Sequence, residues 1–148
     1  MGGLILLVAG LTWIGVTTWF RVAFYAVLRI EPTARDQQVL LLRLAAGIAF
    51  ICVFSGVVVA TDSAAPRILL LVPIVLGLAA LAWFVVLLRD GPPLLRPHPD
   101  DVARIPARRA AFREGLRRPA VWLVFIGYAI VTPLLVIGLV LFLGALTR

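Results

Sequence analysis

The chain has 148 residues and a net charge of +7, with 63% hydrophobic residues, 14% charged residues and a mean hydropathy of +1.10. A soluble globular domain is nearer half apolar and a quarter charged, so that class is excluded. The apolar residues come in long runs, as a bilayer solvent requires.

All 14 basic residues are arginines, a usage that points to a GC-rich bacterial genome. Without lysine there is no Schiff-base chemistry, which excludes a retinal protein. The single Cys52 forms no internal disulfide or dithiol pair, and in its apolar run it reads as inert packing. One histidine, His98, does not suffice for bis-histidine haem ligation. No cofactor is expected.

The first apolar run starts at Gly3, reaches Phe20 and continues helically to Leu28. No arginine precedes it and no small-residue cleavage site follows, so a retained span is expected rather than a cleaved signal. Glu31-Pro32-Thr33 then breaks the chain, and Thr33 with Asp36 three residues on matches a capping box with a shorter carboxylate. The second span is predicted over 34–60, the short turn 61–66 makes the third (67–89) its antiparallel neighbour, and the fourth covers 120–146. The runs lack the alternation of barrel strands, so helices are the expected spanning form. The predicted fold is all-α integral membrane, a single polytopic domain over 1–148.

Arginine placement predicts the orientation. Twelve of the fourteen lie at or between the first and second spans or the third and fourth, leaving Arg67 and Arg148 on the other side. The positive-inside rule puts segments 29–39 and 90–119 in the cytoplasm and both termini outside, as expected in a bacterial cytoplasmic membrane. Trp19, Trp83 and Trp122 fall near the same ends of their spans, where interfacial tryptophan is expected.

The basic segment 90–119 is predicted to hold a short amphipathic helix opened by Pro106 and bounded by Pro119. Ile105, Phe112 and Leu116 share a narrow arc at helical spacing, with Arg108 on one side and Arg109, Arg113 and Arg117 on the other. With Arg118 these arginines are the expected contacts for anionic lipid on the cytoplasmic side or for a partner subunit. The tether beside two spans argues against nucleic acid. Arg21 and Arg43 read as interfacial arginines that snorkel to headgroups, or pair with Glu31 or Asp36. His98-Pro99-Asp100-Asp101 is the one cluster with metal-ligand character, but its composition fits a turn and a helix N-terminus better. No metal site is expected.

No span contains Asp, Glu or His apart from Asp36 at the predicted start of the second. Intramembrane ionisable groups usually mark ion pathways, so their absence weighs against a pump or proton relay. Length and helix count are similar to those of small multidrug transporters, but the glutamate that family needs in its first helix is missing, so nothing carries over. Ala45, Ala49, Cys52 and Gly56 form a small-residue stripe for helix packing, and Pro73 and Pro133 are candidate kinks. The expected function is a non-catalytic accessory, assembly or lipid-contacting subunit of a larger membrane complex. The alternative is a homo-oligomeric transporter, channel or lipid-handling protein, with Thr17, Thr18, Ser55, Tyr128 and Thr132 as polar pore groups. With no catalytic constellation at membrane depth, an enzyme is not expected.

Overall fold

The computed structural model describes residues 2–91 and 99–146, and these form an all-helical chain. Helix α1 is Gly2–Leu28, α2 Ala34–Thr61, α3 Leu71–Asp90, α4 Pro99–Gly115 and α5 Pro119–Leu146. A short 3₁₀ turn, Arg67–Leu70, leads into α3. Helices α1, α2, α3 with that turn, and α5 are long and apolar enough to cross a membrane. Their bounds agree with the predicted spans to within a residue.

The helices stand in an open row. α1 packs on α2 and on α5, α2 packs on α3, and substantial packing of α3 on α5 is absent among the described residues. The central pair is joined by close backbone approaches. Gly3 lies against Val59 and the Ser55 carbonyl, and Gly10 against the Ile51 side chain. The buried Ser55 hydroxyl donates to the Gly3 carbonyl. In lipid such contacts and hydrogen bonds, rather than apolar burial, hold helices together.

The small-residue stripe on α2 faces α3. Gly56 sits beside Pro73, a Cβ on Gly77 would lie 3.2 Å from that of Cys52, and Ala45 is fully buried. Pro73 falls in the first turn of α3, directly after the 3₁₀ turn. At the end of α3 the buried Gln38 donates from Nε2 to the Leu87 carbonyl at 3.0 Å, next to Gly91.

The α1–α5 seam is aromatic and polar. The Phe20 and Tyr128 rings stack with centroids 4.2 Å apart, and Phe125 meets Phe20 edge-on. The Thr17 and Tyr128 hydroxyls are hydrogen-bonded at 3.1 Å. Trp122 Nε1 donates to the Leu116 carbonyl at 2.9 Å, tying the start of α5 to the turn before it.

α4 corrects the expected start of the extra helix. It begins at Pro99, seven residues before Pro106, and Pro106 lies inside it. Pro99 suits a first helical position, and Asp100 and Asp101 complement the dipole in the first turn. Pro106 forfeits one backbone hydrogen bond inside the helix. Leu116 lies one residue past the helix end and still donates its N–H to the Phe112 carbonyl at 3.0 Å.

Candidate functional site

The site lies at the arginine-rich end, and local chain geometry builds it. α1 ends in a Schellman motif: Ile30 N–H donates to the Tyr25 carbonyl and Arg29 N–H to the Ala26 carbonyl, both at 3.1 Å. The left-handed position of this motif is held by Arg29, at φ 55°, where glycine is usual. Four residues later Thr33 caps α2. Asp36 N–H donates to Thr33 Oγ1 at 3.2 Å, and Thr33 N–H donates to Asp36 Oδ2 at 2.9 Å. The capping box read from the sequence is present.

Asp36 carries a second load. Arg108 of α4 donates to both its carboxylate oxygens, with Nη1 3.3 Å from Oδ1 and Nη2 bound to Oδ2. The hydrogen bond to Asp36 pushes the Arg108 guanidinium above its ordinary pKa. Pairing of Asp36 with Arg21 or Arg43 was the alternative to their snorkelling; the partner of Asp36 is Arg108, which α4 lays across the cap. The rest of α4 docks on α1: Leu28 is buried against Gly115, and Phe112 meets Phe24 edge-on with centroids 6.4 Å apart.

Between α1, α2 and α4 these contacts leave a cleft of about 690 Å³. Arg21, Arg35, Arg43 and Arg108 line it with Asp36 and Asp101, over hydrocarbon from Val22, Val39, Leu40 and Ile105. Four arginines against two aspartates make its wall positive. Arg21 and Arg43 have no side-chain hydrogen bond or carboxylate partner among the described residues.

The other arginines of the basic segment are placed differently. Arg109 and Arg113 border a shallower groove with Ile105 and Phe112. Arg109, Arg113 and Arg117 are exposed and have no side-chain partner among the described residues. Arg118 pairs with Glu114 at 3.0 Å, one helical turn away. Arg96, His98 and Arg148 lie outside the described residues. Among the described residues no three His, Cys, Asp or Glu side chains come together as a metal site.

Sequence reasoning did not bring Arg21, Arg43 and Arg108 to one cleft, and it missed the aromatic seam. Phe20 and Phe24, one turn apart on the face that meets Phe125 and Phe112, were the available signal. Comparison of the chain with known protein families, with curated proteins and with solved structures gives no match.

Proposed function

We propose that the protein is a non-catalytic, multi-pass membrane subunit that serves an accessory or assembly role in a larger complex. The open row of helices carries this reading. α3 and α5 each have one side packed, and long apolar side chains such as Val75, Leu78, Leu134 and Leu141 project from the rest. Such faces suit lipid or the helices of another subunit.

The small-residue stripe of α2 is not the docking face in this reading, because α3 of the same chain occupies it. Three of the five polar groups considered for a pore are also engaged internally, while Thr132 Oγ1 is buried without a partner among the described residues. Thr17 bonds Tyr128, and Ser55 bonds the Gly3 backbone. These pairings favour packing over a conduction path.

In this reading the arginine-rich end faces the cytoplasm, and both termini lie outside, as the positive-inside rule requires. The exposed Arg109, Arg113 and Arg117 then meet anionic headgroups or an acidic partner face, each contributing on the order of 1 kcal/mol. The test is purification from the native membrane in mild detergent. The protein should leave the membrane bound to larger partners in fixed ratio. A stable homo-oligomer that moves solute across liposomes without partners overturns the reading.

A further inference from the structure

Arg21 and Arg43 lie within one helical turn of the same level: in the register that sets Gly10 against Ile51 and Gly47 against Ile14, Arg21 falls beside Leu40 and Arg43 about 4.5 Å further toward the hydrocarbon. At about 1.5 Å per residue, Arg21 is about 29 Å along α1 from Gly2, and Arg43 is about 27 Å along α2 from Thr61. The hydrocarbon core is ~30 Å thick, so two helices that cross it carry both guanidiniums to its arginine-rich boundary. Trp19, two residues before Arg21 and 70% exposed, is of the type that marks this boundary.

On the headgroup side of that level, the end of α1 and the start of α2 rise with α4 to enclose the 690 Å³ cleft. On the hydrocarbon side, a groove of about 390 Å³ continues between α1 and α2, walled by Trp13, Ile14 and Leu44. Arg21, Leu40 and Arg43 border both spaces. The pair of arginines therefore stands between a chamber lined by further charged side chains and a slot whose remaining lining, Thr17 and Thr18 included, is uncharged, which is the division between headgroup and acyl chain in a lipid.

The charges call for an anion at this point. Asp36 is already engaged by Arg108, so it does not neutralise Arg21 or Arg43. Two guanidiniums at the edge of a low-dielectric layer are costly without a counter-charge. A phosphodiester offers two oxygens to planar guanidinium donors, a geometry that arginine favours.

We propose that the cleft binds one anionic glycerophospholipid, its phosphate between Arg21 and Arg43, its headgroup in the cleft and an acyl chain in the α1–α2 groove. This requires that α1 and α2 cross the bilayer, and it is independent of whether the chain is an accessory subunit.

The test uses the full-length protein, delipidated in neutral detergent and titrated with phosphatidylglycerol, phosphatidylcholine or inorganic phosphate. Bound lipid is counted by native mass spectrometry, and stabilisation is read by thermal unfolding. One phosphatidylglycerol should bind with a preference of about tenfold or more over phosphatidylcholine. Arg21→Gln with Arg43→Gln should bring that preference to about twofold or less, whereas Arg67→Gln, at the opposite end of the helices, should leave it unchanged. If the double variant fails to fold, Leu40→Trp decides, since it obstructs the slot with both arginines in place and should also abolish the bound lipid. Equal binding of the two lipids by the unaltered protein overturns the proposal. So does a preference that survives both the arginine and the Leu40 changes, or stabilisation by inorganic phosphate alone that matches the lipid's.

Discussion

Arg108 of α4 holds Asp36 at both carboxylate oxygens, and Asp36 is the residue whose backbone and side chain complete the cap of α2. One carboxylate thus closes a helix end and anchors a neighbouring helix. Arg108→Gln should release α4 with a small loss of stability, about 1 kcal/mol, because the pair is partly exposed. Asp36→Asn should cost about 1 kcal/mol more, since it also weakens the capping box. Limited proteolysis within α4 and a double-mutant cycle in detergent measure both. Equal losses for the two variants would separate the cap from the ion pair.

Arg29 occupies a left-handed backbone position at the end of α1. An L-residue there costs roughly 1–2 kcal/mol relative to the usual helical region, a cost glycine escapes. Arg29→Gly should therefore raise stability by about 1 kcal/mol, read as a higher midpoint of thermal unfolding. Arg29→Val should lower it, because a β-branched side chain tolerates this conformation least.

Gly91 leaves room for Gln38. A Cβ at position 91 would overlap the Gln38 side chain and displace Nε2 from the Leu87 carbonyl. Gly91→Ala should destabilise the α2–α3 contact by about 1–3 kcal/mol, since a buried amide would lose its partner. Adding Gln38→Ala should recover part of that loss by clearing the space. A double variant less stable than Gly91→Ala alone would show that the clash is relieved another way.

The Thr17–Tyr128 hydrogen bond joins α1 to α5 inside a seam that is otherwise aromatic. Tyr128→Phe keeps the stack on Phe20 and should cost about 0.6 kcal/mol, typical of an interhelical hydrogen bond in lipid. Tyr128→Leu also removes the stacking and should cost about 1 kcal/mol more. Steric-trap or denaturant unfolding in bicelles resolves the difference.

The orientation is open to direct labelling. In a Cys52→Ser background, a cysteine placed at Ser63 should react with an impermeant reagent added outside intact cells. One placed at Ala103 should react only after the membrane is opened. The reverse pattern would invert the topology, since twelve of the fourteen arginines would then face outward.

The spans were legible because 20-residue apolar runs have one structural solution in lipid. The α2 cap was legible because Thr33 and Asp36 are three residues apart and act locally. The start of α4 was not. Pro106 reads as a helix opener, and the acidic first turn that lets the helix begin at Pro99 acts seven residues upstream. The cleft was harder still. Arg21, Arg43 and Arg108 sit on three different helices, and their meeting depends on α4 folding back over α1 and α2. Nor does a small-residue stripe say whose helix fills it; for Gly56 the neighbour is Pro73 of the same chain.

The order of the helices in the row differs from their order in the chain. α5, made last, packs on α1, made first, and the Thr17–Tyr128 contact bridges 111 residues of sequence. α1, α2 and α3 pack in chain order, whereas the Phe20 side of α1 is covered by α5. The molecule is therefore a three-helix unit with a fourth strut. A gene divided between the codons for Gly91 and Pro99 should still yield the assembled fold from two separately translated pieces.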